Sequence, residues 1–341
     1  MTQLFTNVSN LPLALAAFLA SDTYDYNPDP YTISATTLLK PVRQIILAGR
    51  LPPEVGMPDI MDQAATRIGA ALHDGIERTW KHDERRTRAL LALGLPAHVI
   101  ERVRVNPTDE YVLANKECIP VYMEQRLIRK IGKWTVTGKF DFAADLQVQD
   151  FKSANVLSYQ KQRNADKQAW QGSIYRWLDA NPGNMVRKIT KDDMIIFHIF
   201  MDWMKGYVKQ DPSYPPHRIM KQVIPLKSEQ ETENFIRNKL ALIEQYADAP
   251  EAEIPECNDE ELWRSEPVFK YYAKGFANQK RSTKNFTSRA EAYTFFAVEA
   301  QSKGELKEVP GLVKACHYCR SFEACTQKDR LLASGDLDMG Q

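Results

Sequence analysis

The sequence lacks a long hydrophobic run. The longest candidate near the start, LPLALAAFLA (residues 11–20), has ten residues. It is too short to span a membrane, and it lacks the basic flank of a secretion signal. Cysteine is also scarce, with five residues in a chain of 341. Five is an odd number, and three of these cysteines lie in the last tenth of the chain, so they are not a disulfide framework. In a reducing compartment they suggest metal ligation. We therefore expect a cytoplasmic protein without membrane contact.

Neither sign of charge is in excess. Lysine and arginine number 45 and the acidic residues 44, so the net charge is +1. This balance excludes a general attraction to nucleic acid, and any such binding must come from a local basic surface. The hydrophobic content of 43% is ordinary for a globular protein, and the length allows one large domain or two smaller ones. No GxxxxGK[ST] phosphate loop is present, so any helicase activity belongs to a partner.

The stretch GKFDFAADLQVQDFKSA (residues 138–154) predicts two β-strands joined by a turn at Ala143–Asp145. Because side chains alternate along a strand, Asp150 and Lys152 project from the same side. Asp141 lies on the neighbouring strand and can be brought opposite them. Two carboxylates and an amine at a sheet edge suit a hydrated divalent metal. The simpler alternative, which would explain any one of these residues taken alone, is that they are solvent-facing residues of an exposed strand.

Helical periodicity is clearest over residues 59–80, where Gly69, His73 and Glu77 share a face. A small residue one turn before His73 allows another backbone to approach, and the simpler alternative is a surface histidine paired with Glu77. Upstream, Ser34 or Thr36 can cap a helix that continues to residue 46.

Further polar residues flank the hairpin on both sides. Glu124 precedes an alternating strand and faces the hairpin, and Gln171 and Tyr175 lie one turn apart on a helix after it. The apolar run at 194–204 predicts a buried strand, and 226–247 predicts a helix capped near Ser228.

Residues 251–290 change from acidic to basic and aromatic, and they predict a β-hairpin insertion. Its cations could follow a phosphate backbone while aromatic rings stack on bases, or they could simply be solvated. The candidate nucleic-acid-binding residues are Lys270, Lys274, Lys280, Arg281, Lys284, Tyr271 and Tyr272, with Phe276 a further candidate for stacking. A helix from Arg289 to Ser302 follows, and then the cysteines Cys316, Cys319 and Cys325.

In this order, the motifs resemble the RecB-type nucleases of the PD-(D/E)xK superfamily. They are Ser34-Ala35-Thr36, Gly69-x3-His73-x3-Glu77, Gly138-x2-Asp141, Asp150-x-Lys152 and Gln171-x3-Tyr175. The terminal cysteines resemble those of the iron–sulfur members, which include CRISPR-adaptation nucleases and recombination helicase–nucleases. The resemblance covers residues 31–178 and 310–327.

The resemblance implies an α+β fold with a restriction-endonuclease-like core, in which helices flank a central mixed β-sheet. The domains would be an N-terminal helix and linker (1–30), a nuclease core (31–250), the hairpin insertion (251–290), and a C-terminal helix with the cysteine motif that completes the nuclease domain (291–341). It also implies that His73, Asp141, Asp150 and the Phe151 carbonyl hold Mg²⁺ or Mn²⁺.

By the same resemblance, Lys152 positions or activates the attacking water, and Gln171 and Tyr175 shape the path of the DNA strand. The expected activity is a metal-dependent DNA nuclease, of the exonuclease type, in recombination, replication or repair. DNA is the expected partner, alongside a helicase or recombination protein. The chain could also be phage-encoded, and would then act in the host cytoplasm.

The cysteine set departs from the iron–sulfur pattern, because the expected fourth cysteine near Lys40-Pro41 is missing. Three thiolates do not complete a [4Fe–4S] site. Cys118 or Cys257 could complete it, His317 could make it a zinc site, or the cysteines could bind no metal. Two alternatives to a nuclease remain open: a catalytically silent nucleic-acid-binding protein with a nuclease-like fold, and a zinc-finger-like binding module at residues 310–327.

Overall fold

The structure is a computed structural model that describes residues 4–21, 27, 29–52, 55, 57–162 and 164–339. The chain forms two compact units, and each is described by itself. The first comprises the described residues up to Leu39 together with Met57–Ala241. The second comprises the described residues of 40–56 together with those from Leu242 onward. The segment 40–56 therefore groups with the C-terminal part of the chain, which differs from the predicted domain boundaries.

A mixed β-sheet is the centre of the first unit, with strands in the order β2-β3-β4-β5-β6-β7 and with β1 parallel beside β4. Strands β3, β4 and β5 are consecutive and antiparallel, whereas β5 and β6 are parallel. The bounds are β1 (Thr32–Ser34), β2 (Val103–Val105), β3 (Ile119–Ile131), β4 (Trp134–Ala144), β5 (Gln147–Ala154), β6 (Asp193–Phe200) and β7 (Ile219–Pro225).

Helices flank this sheet, so the first unit has the mixed α+β architecture that was predicted. Helix α9 packs on β3, β4, β6 and β7, and α4 packs on β5. In chain order, the described α-helices up to Tyr246 are α1 (Leu13–Ala20), α2 (Ala35–Leu38), α3 (Val42–Arg50), α4 (Ala64–Lys81), α5 (Asp83–Ala92), α6 (Ala97–Ile100), α7 (Asp109–Ala114), α8 (Val156–Gln160), α9 (Ala165–Asp179) and α10 (Glu229–Tyr246). Of these, α3 and the last turn of α10 belong to the second unit.

The core of the first unit lies between α9 and the sheet. Fully buried apolar side chains come from β4, α9 and β6, among them Phe140, Trp177 and Ile196. Each such side chain contributes about 1.5–3 kcal/mol relative to an exposed one. The predicted buried strand at 194–204 is confirmed over β6, which ends at Phe200.

The second unit contains a small antiparallel sheet in the order β10-β8-β9, packed against α11. Its elements are β8 (Val268–Tyr272), β9 (Lys284–Phe286), α11 (Arg289–Val298), β10 (Glu305–Val309) and α12 (Thr326–Ser334). The predicted hairpin is confirmed as β8 and β9. The third strand, β10, was not predicted, because its sequence ELKEV is mostly charged.

Several local predictions are confirmed by their capping bonds. The Ser34 side chain accepts a hydrogen bond from the Thr37 amide at the start of α2. Ser228 and Glu231 exchange hydrogen bonds at the start of α10. The predicted continuous helix after Ser34 is wrong, since α2 ends at Leu38 and α3 begins after Pro41, which lacks an amide hydrogen.

No helix among the described residues is long and apolar enough to cross a membrane.

Candidate metal centre and cysteine cluster

Strand β4 has different neighbours along its two halves, and the candidate metal centre lies where they change. Thr135–Thr137 pair with β1, whereas Phe142–Ala144 pair with β5. Between these ladders, neither β1 nor β5 pairs with β4 among the described residues. The two strands of the central hairpin therefore separate at Asp141 and Asp150, which leaves both carboxylates at an opening in the sheet.

Three side chains converge at this opening from a helix and two strands. One ligand atom each from His73, Glu124 and Asp141 lies within 4.8 Å of the other two. The His73 Nδ1 atom is 3.2 Å from Asp141 Oδ2. Helix α4 approaches β5 closely here, since a Cβ atom on Gly69 would lie 3.2 Å from the Ser153 hydroxyl. The close approach that was predicted from the small residue before His73 is thus present.

Glu124 reaches this cluster through an unusual backbone conformation. It lies within β3 but has a φ of 51°, in the left-handed region. It falls opposite Asp141, between the paired residues Met123 and Gln125, and it takes no part in the ladder itself. A non-glycine residue in this region costs about 1–3 kcal/mol, and such strain is often found at functional sites. The Glu124 carboxylate also pairs with Lys139 at 2.5 Å.

Asp150 and Lys152 project from the same side of β5, as predicted, and form an ion pair. The Lys152 Nζ atom is 2.8 Å from Asp150 Oδ2. Asp150 is only 3% exposed, and its other oxygen, Oδ1, is buried without a hydrogen-bond partner in the described part of the chain. A buried carboxylate oxygen with no partner is costly unless a cation occupies the site. The donors present, carboxylates with one imidazole, fit Mg²⁺ or Mn²⁺.

The two carboxylates, the lysine and the histidine shift one another's pKa values. Burial alone would raise the pKa of Asp141, but hydrogen bonds to His73 and Asp150 hold that pKa well below its usual range. Burial raises the pKa of Asp150; the Lys152 ammonium opposes this effect and the Asp141 charge adds to it. Burial would lower the pKa of Lys152, but the charges of Asp150 and Asp141 raise it overall. The hydrogen bond to Asp141 raises the pKa of His73.

The predicted pair on α9 lies beside this group. Gln171 Nε2 donates to the Tyr175 hydroxyl at 3.0 Å, and Gln171 lines a groove together with Lys152. Tyr175 itself is buried against Phe140. Gly138 makes room for it, since a Cβ atom there would lie 2.9 Å from the Tyr175 ring.

The hairpin of the second unit differs in part from the expected nucleic-acid surface. Tyr271 and Tyr272, which we expected to stack on bases, are 7% and 4% exposed. Tyr271 packs on Phe295 of α11, and the Tyr272 ring contacts Phe276. Phe276 is exposed and holds the Lys307 amine 3.6 Å from its ring centre. The basic side chains Lys274, Lys280, Arg281 and Lys284 are exposed, and Lys270 is half-buried.

Four of the five cysteines line a single small cavity in the second unit: Cys257, Cys316, Cys319 and Cys325. Of the open alternatives for a fourth ligand, Cys257 is the one in this cavity. His317 is exposed and Cys118 lies in the first unit, and neither is among the lining residues. Burial raises the pKa of Cys257 to about 12 and that of Cys316 to about 11.

Two polar side chains hold this cavity in shape. Gln327 forms a reciprocal pair with the Cys257 backbone, accepting from its amide at 2.9 Å and donating to its carbonyl at 2.8 Å. The buried Arg43 donates from Nε to Cys325 Sγ at 3.3 Å and also pairs with Glu251.

Sequence reasoning did not assign Glu124 as a metal ligand and did not choose between Cys257 and its alternatives. The only signal for Glu124 was its acidic side chain in a strand that faces the hairpin. Cys257 lies 59 positions before Cys316, too far for any ligand spacing to indicate it.

No protein-family model and no curated protein matches the sequence. Among solved structures, the crystal structure of SSO0001 is similar to this chain, with a TM-score of 0.38 and 16% sequence identity. The similarity covers 67% of this chain and 83% of that one.

Proposed function

We propose that this chain is a Mg²⁺- or Mn²⁺-dependent DNA nuclease of the PD-(D/E)xK type that hydrolyses phosphodiester bonds from strand ends. The observation that supports this function best is the convergence at the separation of β4 and β5. There, His73, Glu124 and Asp141 form one cluster, and the Asp150–Lys152 ion pair lies beside it.

The residue types agree with the chemistry of phosphodiester hydrolysis. His73, Glu124, Asp141 and Asp150 would hold the metal ion, which when bound neutralises phosphate charge and makes its water more acidic. Lys152 supplies a fixed positive charge next to these carboxylates. It can orient the attacking water and donate to the phosphate oxygens as their charge increases. Gln171, held by Tyr175, lines the groove beside Lys152 and would contact the strand.

The decisive experiment is digestion of labelled single- and double-stranded DNA, linear and circular, with Mg²⁺, Mn²⁺ or EDTA. We expect metal-dependent loss of linear substrate, which Asp150→Asn abolishes without loss of folding. Asp145→Asn is the matched control, because Asp145 is an exposed carboxylate in the turn of the same hairpin, paired with Lys191. Full activity of the Asp150→Asn protein would overturn the assignment.

The same assay separates this function from a catalytically silent DNA-binding protein. A silent protein would retain labelled DNA in a gel-shift experiment but leave it intact with either metal. Cleavage of circular DNA would replace an exonuclease with an endonuclease while keeping the metal centre.

We also propose that Cys257 supplies the fourth thiolate of a metal site with Cys316, Cys319 and Cys325, and that the site holds a [4Fe–4S] cluster. One tetrahedral zinc ion, with Zn–S bonds of about 2.3 Å, holds its sulfurs roughly 3.8 Å apart. In the described part of the chain, no three cysteine sulfurs lie within 4.8 Å of one another. This wider arrangement suits a cluster, because each thiolate then binds a different iron.

Anaerobic purification distinguishes these cofactors. A brown protein with absorption near 400 nm and iron in the preparation would support the cluster. A colourless protein with one zinc per chain would make the site a zinc site, and a metal-free protein would remove the cofactor.

A further inference from the structure

A groove of about 720 Å³ in the first unit has Lys152 in its lining, and His73, Glu124 and Asp141 are not among its described lining residues. Its lining is unusual in composition. Four glutamines, two asparagines and two lysines contribute to it, and none of its described lining residues is an aspartate or glutamate. The lining side chains that matter most here are Lys152, Tyr159, Gln162, His198 and Gln222. Such a surface attracts a phosphate and offers neutral hydrogen-bonding groups next to it.

A chain of hydrogen bonds fixes one wall of this groove. His198 Nε2 lies 2.7 Å from Gln222 Oε1, and Gln222 Nε2 in turn donates to Gln162 Oε1. Gln162 Nε2 donates to the Tyr159 carbonyl at 3.0 Å. An amide oxygen only accepts, so His198 carries its proton on Nε2. The Tyr159 carbonyl, which can only accept, fixes the direction of the chain at one end, and the buried His198 imidazole donates at the other.

His198 is buried at a position that ties this wall to the proposed catalytic lysine. It is 6% exposed, lies directly opposite Lys152 in the parallel β5–β6 ladder, and packs against the Tyr159 ring. Its Nδ1 atom is buried without a hydrogen-bond partner among the described residues. An orphaned imidazole acceptor costs free energy, so core packing alone does not account for a histidine here. Its hydrogen bond to Gln222 holds that amide, which in turn donates to Gln162.

Amide groups of fixed orientation are suited to the edges of nucleobases. Each offers both a donor and an acceptor, which is the pattern that glutamine and asparagine use to read bases. An aromatic ring such as Tyr159 adds a surface on which a base can stack. The absence of carboxylates from the described lining avoids repulsion of the phosphates on either side.

We infer that this groove is a nucleoside subsite, which receives the base and sugar next to the phosphate that Lys152 faces. In it the Gln222 and Gln162 amides contact the base edge, and His198 acts as a positioning residue that holds them. This inference rests on the proposed nuclease function, and it adds that cleavage depends on a base at that position.

The test compares hydrolysis of oligonucleotides that carry either a normal base or an abasic residue at each of the last three positions. Gln222→Leu keeps the volume of the side chain but removes its hydrogen bonds. We expect it to lower kcat/KM about tenfold on the base-bearing substrate, mainly through KM, and to leave the matching abasic substrate unchanged. Gln210→Leu is the control, because Gln210 is exposed and outside the groove.

The positioning role of His198 has its own readout. His198→Phe removes the donor, and we expect the same base-dependent loss as for Gln222→Leu. The double variant should lose no more than either single variant, because both substitutions act on the same pair of amides. Equal losses on base-bearing and abasic substrates would overturn the subsite and leave His198 with a purely structural effect.

Binding measured without turnover separates this inference from the nuclease function. The probe is a fluorescent deoxynucleoside monophosphate titrated against the protein in Ca²⁺. Base-dependent binding that Gln222→Leu weakens, in a protein that cleaves no DNA, would leave the subsite standing and overturn the nuclease. Cleavage at equal rates with and without a base would support the nuclease function and overturn the subsite.

Discussion

The two candidate metal centres differ in how the backbone supports them. His73, Glu124 and Asp141 come from a long helix and two strands of the main sheet. The four cysteines come from loops and short 3-10 helices. Cys316 lies in the 3-10 helix Ala315–Tyr318, Cys319 directly follows that helix, and Cys325 directly follows the 3-10 helix Phe322–Ala324. Regular elements hold the first set, whereas the second depends on Arg43 and Gln327 to hold irregular backbone together.

The two centres also differ in the chemistry of their ligands. Carboxylates and one imidazole bind hard, exchangeable cations that keep water ligands and so can meet a substrate. Thiolates bind softer metals and can complete their coordination with protein atoms alone. We therefore expect loss of the first metal to stop turnover without unfolding, and loss of the second to destabilise the second unit.

The largest effect that would sharpen this contrast is expected from Lys152→Ala. The substitution removes positive charge beside Asp150 but no oxygen ligand, so cleavage should fall by about 10²–10³-fold while Mn²⁺ still binds. Cleavage rates and Mn²⁺ binding followed by electron paramagnetic resonance measure the two quantities separately. Lys130→Ala is the control, because Lys130 is exposed on β3. Unchanged cleavage would show that this lysine has no part in the chemistry.

The next largest effect is expected from Cys257→Ser. Loss of a direct ligand should weaken metal binding by more than the roughly 10–100-fold that loss of an outer hydrogen-bond partner costs. The second unit should then melt at a lower temperature, because metal binding contributes to its folding. Metal content by mass spectrometry and calorimetric unfolding provide the measurements.

Cys118→Ser is the matched control for that experiment, since Cys118 lies in the first unit and outside the cavity. If Cys118→Ser removed the metal and Cys257→Ser did not, the fourth ligand would be assigned to the wrong cysteine. A full complement of metal in both variants would reduce the site to three cysteines and another donor.

These centres also differ in how far the sequence could predict them. Periodicity predicted that Asp150 and Lys152 share one side of a strand and that His73 lies one turn after a small residue, and the structure has both arrangements. Their assignment to one metal site, together with Asp141, came from the resemblance. Cys257 could not be assigned, because its position depends on a long connection that a periodic pattern does not describe. Three neighbouring cysteines are visible in a sequence, but the loop that completes them is not.

Two further features could not be predicted from the sequence, because they depend on tertiary structure. A glutamate within a strand is expected to be extended, so the left-handed conformation of Glu124 follows from tertiary structure alone. Tyr271 and Tyr272 stand between Lys270 and Lys274 in the sequence, as residues of an exposed surface could, and only the tertiary contacts with Phe295 and Phe276 reveal that they are buried. The mostly charged sequence of β10 has no hydrophobic pattern from which an edge strand could be predicted.

A smaller effect is expected from the strained backbone of Glu124. None of the four cysteines in the cavity, all of which the structure describes, has such a positive φ. Glu124→Gly and Glu124→Ala both remove the carboxylate, but only glycine accepts a positive φ without strain. The glycine variant should therefore be more stable than the alanine variant by about 1–2 kcal/mol, measured by urea denaturation. Both variants should bind Mn²⁺ more weakly than the unaltered protein.

The neighbouring residue Gln125 provides the control for this comparison, because it pairs regularly with Phe140 in the β3–β4 ladder. There the order should reverse, with Gln125→Ala more stable than Gln125→Gly by about 0.5–1 kcal/mol. If glycine were destabilising at both positions, Glu124 would be an ordinary strand residue and its conformation would carry no strain.

The smallest effect tests whether the second unit, besides its cysteines, contributes a DNA surface. Lys284 is exposed on β9, with its amine 4.2 Å from the Phe295 ring centre. If it contacts a phosphate, Lys284→Ala should reduce the slope of log K against log salt by about 1, whatever the sequence of the DNA. Lys314→Ala is the control, since Lys314 is exposed outside the three-stranded sheet. A slope that is equal in both variants and the unaltered protein would leave the basic hairpin as solvated surface, and DNA contact would then belong to the first unit and its groove.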